Sequence, residues 1–227
     1  MRTRTRRSEG PLPPQLPGER PGQAGGKRDQ NRRARTQSLL DAARRLFLER
    51  GIENVSIDDI TREASVAKGS FYRYFQDKED LVVAALAPAR TRVLGAFERA
   101  ERKLGAATGP DRVRRAYTRL GRELAAALMS EPEVTRLYLQ ESRAPAVHAR
   151  VPVRALERDI AAAALRLSEL AFSHGLLRRV PPQVSTLAVI GATERMLHAY
   201  FVGDLKLDPT AALTGIVAIV LDGMREG

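Results

Sequence analysis

The chain has no cysteine and no tryptophan in 227 residues, only three histidines, and an aromatic content of 5%. Without cysteine there are no disulfides, thiolate metal sites or cysteine nucleophiles. His148, His174 and His198 are too far apart for a helical i, i+4 metal pair, so no metal site is expected. No run approaches the about 18–20 continuous apolar residues of a membrane span. No apolar run follows the basic N-terminus either, which argues against a secretory signal and for a soluble cytoplasmic protein. Glycine-rich phosphate loops, hydrolase elbows and paired catalytic carboxylates are missing as motifs, so neither an enzyme nor a cofactor is expected.

What is present is a hydrophobic fraction of 43%, largely Leu, Val, Ile and Ala among many Arg and Glu, a mixture that favours helices over sheets. The formal charge of +11 suggests a polyanionic partner. Residues 1–26 are rich in Pro, Gly and Arg and too poor in apolar residues to offset their ordering entropy, so they read as a disordered basic tail. A basic cluster follows: Lys27, Arg28, Arg32, Arg33 and Arg35. It is either an arm laid on phosphates or in a minor groove, or a solvated tail.

The most informative stretch is Ser56–Lys78. Ile57, Ile60 and Ala64 recur at helical spacing. Ser56 is a good N-cap, and Asp59 sits at the third helical position, where a carboxylate suits the positive helix end. After a turn near Ser65-Val66, the residues Val66, Phe71 and Phe75 can point inward, which leaves Lys68, Ser70, Tyr72, Arg73 and Tyr74 outside. Such a pair of helices is the layout of a helix-turn-helix DNA reader. A preceding helix over about Asn31–Arg50 carries the stripe Leu39, Leu40, Ala43, Leu46 and Phe47, with Gly51 as its stop. The spacing therefore places a DNA-binding unit at 27–80.

Leu39-Leu40-Asp41-Ala42-Ala43, Leu46-Phe47, Gly51, Val55 to Ile60, Ala64 to Phe75 and Lys78 to Leu81 together resemble the N-terminal domain of TetR-family transcriptional regulators, over roughly Thr36 to Leu81. The resemblance implies an all-α protein in which the helix-turn-helix domain is followed, over 81–227, by a helical effector-binding and dimerisation domain. It implies phosphate contacts by Tyr72 and Lys78, a backbone-facing helix start at Ser56, and a recognition helix bearing Lys68, Gly69, Ser70, Arg73 and Tyr74. Helix starts bind phosphate through backbone N–H groups, and a glycine such as Gly69 lets backbones approach closely. Lys68 and Arg73 either reach guanine edges or contact phosphates only, and Tyr74 either contacts DNA or props the helix from beneath. Two positions depart from the family pattern. Ser65 stands where glycine is common, and Ala67 where a capping Ser or Asp is common, which predicts a somewhat loose recognition helix.

Beyond this domain the periodicity continues helical. Pro88 predicts a kink or break near Leu86–Ala87. Helices start at Pro110, near Pro132 and after Pro152, and Gly175 reads as a stop. Two apolar, small-residue-rich helices end the chain, carrying Ala188, Gly191 and Ala192 on one and Ala211, Gly215 and Ala218 on the other. They are either a dimer interface, the preferred reading because both are apolar on more than one face, or intrachain core. A pocket in such a body would lie between the middle helices, with candidate lining residues Tyr117, Leu120, Leu124, Met129, Leu137, Tyr138, Leu167 and Phe172. Glu194 and His198, one turn apart, are either a polar ligand-reading pair or an interface pair. The sequence thus points to a homodimeric repressor of a palindromic DNA operator, released by a hydrophobic or amphipathic small-molecule effector. Two alternatives are a DNA-binding factor controlled by a protein partner, and a helical enzyme.

Overall fold

In the computed structural model the described residues are 26–106, 109–174, 180–206 and 208–223. The tail before them and the Gly175 stop lie outside this set. Among the described residues the regular structure is helical throughout: α1 (Lys27–Arg50), α2 (Ile57–Glu63), α3 (Lys68–Phe71), α4 (Lys78–Gly105), α5 (Pro110–Met129), α6 (Pro132–Glu141), α7 (Val151–Ser173), α8 (Pro182–Phe201) and α9 (Pro209–Gly223), with a 3₁₀ turn at His148–Arg150. No helix is long and apolar enough to cross a membrane, again among the described residues.

Local chemistry accounts for the boundaries. Ser56 and Asp59 form a reciprocal capping box at the start of α2. Asp77 accepts from the Asp80 amide and starts α4. Proline at the first turn starts α5, α6, α7 and α8. Gly51, at φ 81°, ends α1 with its amide bonded back to the Phe47 carbonyl. The α1 helix begins four residues before the sequence-based start at Asn31. The basic cluster is therefore helical, and Lys27, Arg28, Arg32, Arg33 and Arg35 all lie exposed on its first turns.

Of the kink or break expected from the sequence at Pro88, the break does not occur. The helix runs through it for 28 residues. A mid-helix proline costs about 3 kcal/mol, but both flanks are anchored. Leu81, Val82, Ala85 and Leu86 are buried before it, and Val93, Phe97 and Leu104 after it. At about 1.5–3 kcal/mol for each large side chain, this burial outweighs one missing backbone bond.

Two apolar cores share α4 as their common wall. The first joins α1, α2 and α3 to the start of α4, and also takes in Val134 and Leu137 of α6 and Val153 and Leu156 of α7. The second lies between the later half of α4, α5 and α7. Outside them, α9 packs on α5 and α8. The α5–α9 contact depends on a glycine: a Cβ on Gly121 would sit 3.2 Å from Val217 Cγ2 and 3.5 Å from the Leu213 carbonyl oxygen.

Candidate nucleic-acid interface and effector cavity

The helix-turn-helix is built over a sealed core. Phe71 is fully buried and Phe75 nearly so, and their rings lie 5.6 Å apart. These two anchors fix which side chains of 68–74 face out. Lys68, Gly69, Tyr72 and Arg73 are exposed, and Ser70 is half-buried. Tyr74 is half-buried and packs against the first core, which fits the propping role of the two the sequence left open for it. A Cβ on Gly69 would meet nothing within 4 Å, so no internal packing demands glycine there.

Neighbours hold several of these groups in place. Lys68 Nζ pairs with Asp58 at 2.7 Å, and the Asp58 hydrogen bond and charge hold the ammonium above its usual range. Arg73 donates to Ser70 Oγ at 2.8 Å. The Ser56 hydroxyl and amide donate to Asp59, and these hydrogen bonds hold that carboxyl below its usual range. The exposed start of α1 lies alongside, for Arg32, Arg33, Thr36, Gln37 and Tyr74 line a common notch.

Lys78 departs from its expected role. Its ammonium is turned inward and donates to the carbonyls of Ile52 at 2.9 Å, Val55 at 3.0 Å and Glu53 at 3.4 Å. The connection between α1 and α2 leaves these carbonyls without helical partners, and a half-buried cation satisfies them. Lys78 thus clasps the head together rather than presenting a free cation. The two departures read from the sequence are visible in the backbone. Ser65 has φ 53°, in the left-handed region. Ala67 occupies the N-cap of α3 with no side-chain cap bond.

The body holds a cavity of about 140 Å³. Its walls come from α4, α5, α6, α7, α8 and α9. Of the candidates from the sequence, Tyr117, Leu120, Leu124, Tyr138, Leu167 and Glu194 line it. Met129, Leu137, Phe172 and His198 do not. Leu137 is fully buried in the first core, on the opposite side of α6 from the cavity. Phe172 is 45% exposed near the end of α7, His198 is exposed on α8, and Met129 is half-buried at the last turn of α5. The sequence reading missed the α8 wall of Thr186, Ile190, Thr193 and Leu197. These recur at helical spacing, on a different face of α8 from Ala188 and Ala192.

Polar groups of the cavity are mostly satisfied by neighbours. Tyr117 donates to the Leu167 carbonyl at 2.7 Å, and burial pushes its phenol above the usual range. Thr186 donates its hydroxyl to the Pro182 carbonyl at 2.8 Å, and Ser168 Oγ lies 2.9 Å away as its hydrogen-bond partner. Tyr138 donates to Glu194 Oε1 at 3.0 Å. Burial first, and then the carboxylate beside it, push the Tyr138 phenol up.

One short helix touches both sites. Thr135, Tyr138 and Leu139 of α6 line the cavity. At the end of the same helix, Gln140 donates to the Phe47 carbonyl at 3.0 Å, and Glu141 Oε1 accepts from the Ile52 amide at 3.2 Å. Arg150 closes this clasp on Glu141 Oε2 at 2.6 Å, with Glu141 only 3% exposed.

On α8 and α9 the faces turned away from the body are apolar and uncovered. Leu187 and Ile219 are 71% and 73% exposed. Ala188, Ala192, Ala211 and Ala218 are exposed beside them, and a Cβ on Gly191 or Gly215 would meet nothing within 4 Å. Ala212 and Leu213, on the inner face of α9, are buried. Each terminal helix therefore has an inner and an outer apolar face.

Comparison with known proteins agrees with this geometry. The family model described as bacterial regulatory proteins, tetR family, matches residues 39–85. The Transposon Tn10 TetC protein of Escherichia coli is 46% identical over 55 residues, which is 24% of this chain and 28% of that protein. An HTH-type transcriptional regulator of Staphylococcus aureus is 42% identical over 45 residues, 20% of this chain and 24% of its own length. The chain thus spans under a third of the length of the curated relatives it matches. Solved structures extend the likeness in fold. The fatty acid degradation regulator FadR of Bacillus halodurans has a TM-score of 0.64 at 18% identity, covering 83% of this chain and 99% of its own. PfmR of Thermus thermophilus, a TetR family transcriptional regulator, has a TM-score of 0.61 at 19% identity, with the same coverages of 83% and 99%. FadR of Bacillus subtilis, solved in complex with stearoyl-CoA, has a TM-score of 0.63 at 16% identity, again covering 83% and 99%. Residues 39–85 thus resemble the DNA-binding domain of the tetR family of bacterial regulatory proteins, and the chain shares its fold with the solved regulators.

Proposed function

We propose that the chain acts as a homodimeric repressor that holds a palindromic DNA operator and leaves it when a small hydrophobic or amphipathic effector occupies the body cavity. The observation that carries this reading is one helix, α6, with a face on the cavity and a hydrogen-bonded clasp on the reading head. Two reading heads, each with Lys68, Ser70, Tyr72, Arg73 and the arm residues Arg28, Arg32, Arg33 and Arg35, would sit in successive major grooves about 34–36 Å apart. The bare Gly69 backbone and the Ser56 helix start would approach phosphates. The outer faces of α8 and α9, with Ala188, Gly191, Ala192, Ala211, Gly215 and Ala218, would meet their two-fold copies. An effector must favour the geometry that does not bind DNA, or it cannot release the operator. Filling the cavity would push Tyr138 and Leu139, and α6 would carry that displacement to Phe47 and Ile52, alongside any shift of α4. The cavity favours a small molecule over a protein partner as the signal.

A mobility-shift titration on the DNA upstream of the chain's own gene, at stated salt, tests the first half. Binding with a two-fold footprint is expected, and failure on that DNA and on any selected palindrome would refute the proposal. Sedimentation of wild type against Leu187→Glu/Ile219→Glu tests the dimer. The wild type should run as a dimer and the double variant as a folded monomer.

A further inference from the structure

The cavity has an uneven charge. Among its described lining residues Glu194 is the only charged side chain, and the rest of the wall is aliphatic, aromatic or hydroxylic. Its carboxylate is 17% exposed. Tyr138 supplies one hydrogen bond to Oε1. The other oxygen, Oε2, is met by Arg143 Nη2 at 3.4 Å, and that arginine is 76% exposed. Oε2 thus has a long contact to a side chain reaching in from the surface, in place of a buried and well-fitted partner. A carboxylate in an apolar surround attracts a cation more strongly than it would in water and repels an anion for the same reason. Arg143 demonstrates the geometry, since a guanidinium already approaches Oε2 from the solvent side.

Building on the effector-cavity reading above, we propose that the effector is a small amphiphile with a protonated amine or quaternary ammonium head. Its apolar body fills the space between Leu120, Leu124, Leu167 and Ile190, and its head pairs with Glu194 in place of Arg143. This sets the chain apart from the FadR solved with stearoyl-CoA, whose ligand is an anion. An acyl-CoA or a free fatty acid would bring its negative charge to a cavity whose one described charge is also negative.

The chain's net charge makes the test discriminating. At +11 the protein as a whole attracts anions and repels cations, so a preference for a cation has to arise locally. The probes are hexylammonium, hexan-1-ol and hexanoate, with bodies matched to a cavity about the size of one that takes benzene. Their affinities are read by calorimetric titration of the full chain at neutral pH. Hexylammonium should bind about tenfold more tightly than hexanol, as a charge-assisted hydrogen bond allows, and hexanoate should bind most weakly. Glu194→Gln should erase the preference of the cavity for hexylammonium over hexanol. Arg143→Ala, which removes the competing cation, should tighten hexylammonium and not hexanol. Hexanol binding as well as hexylammonium would overturn the charge rule and leave the effector cavity standing. Hexanoate binding most tightly would overturn it in favour of an anionic effector. If none of the three binds, both the charge rule and the effector-cavity reading fall, whereas the DNA-binding half is read separately by mobility shift.

Discussion

The reading head and the body draw on the same stock of Leu, Val, Ile and Ala, yet the first is closed and the second is open. In the head, Leu39, Phe47, Ile52, Ile60 and Phe71 are all fully buried. Polar groups at its edges are tied down by the Ser56–Asp59 box and the Lys78 clasp. In the body, Tyr117, Leu124 and Ile190 only partly cover one another around a cavity of about 140 Å³. Leu187 and Ile219 point away from any described neighbour core. A surface meant for a partner of fixed shape, such as a DNA groove, gains from a rigid support. Under the proposed function, a compartment filled by an effector and a face covered by a second copy would leave contacts unmade until either arrives.

The sharpest test of this contrast is truncation on each side. Phe47→Ala should cost about 3–5 kcal/mol, because the closed core cannot collapse around the hole. Leu124→Ala removes a half-buried side chain that already borders empty space, and should cost less than half as much. Urea unfolding followed by circular dichroism measures both, and equal costs would abolish the distinction between closed head and open body.

The junction comes next in size. Glu141→Ala leaves Arg150 and the Ile52 amide without their buried partner, and should cost about 3 kcal/mol. Glu141→Gln keeps an acceptor for the amide and should cost less. If α6 carries the signal, Glu141→Gln should also blunt release of DNA by an effector while leaving effector affinity nearly unchanged. Full release at wild-type effector concentration would rule α6 out as the route.

Within the head, two lysines that look alike in the sequence should separate. Lys78→Ala removes three charge-assisted bonds to the carbonyls of 52, 53 and 55, and should lower stability by about 1.5–3 kcal/mol. Lys68→Ala removes a solvent-exposed pair with Asp58, so stability should stay level while operator affinity falls at every sequence tested. The two variants exchanging these phenotypes would reverse the assignment of clasp and contact.

Those two lysines also mark how far the sequence can be read. Periodicity and caps locate the helices of the head closely, because Ser56, Asp59 and Gly51 act within a few residues of themselves. The positive φ of Ser65 and the bare N-cap at Ala67 are legible through the family resemblance, which implies glycine and a capping residue at those positions. The role of Lys78 is not, since its partners lie 23 to 26 residues away. That α4 continues through Pro88 is not legible, because local propensity says nothing of the two cores that hold the helix together. In the body, apolar stripes on α5 to α7 reveal part of the cavity wall. Leu137 and Phe172 are misassigned by the same stripes, because a stripe does not say which of two neighbours it faces. The α8 wall is hidden because that helix is apolar on both sides, and its small residues draw attention to the outer face alone.

The smallest expected effect concerns the left-handed backbone at Ser65 in the closed head. Ser65 sits at φ 53°, which costs a side-chain-bearing residue about 1–2 kcal/mol. Glycine there removes that strain but adds about 0.5–1 kcal/mol of unfolded-chain entropy to be lost. The net gain for Ser65→Gly is therefore about 0.5–1 kcal/mol, and Ala67→Ser adds up to about 1 kcal/mol by capping the first amides of α3. Together they should raise the melting temperature by about 2–6 °C for a chain of this size. What happens to DNA affinity then decides how closed the head is. If the recognition helix is loose in the free protein, the double variant should bind its operator a few-fold more tightly, because order otherwise supplied by DNA is already present. If Phe71 and Phe75 hold it fully formed, the melting temperature rises and affinity stays level. No rise in melting temperature would mean that the left-handed turn at Ser65 carries no strain to relieve.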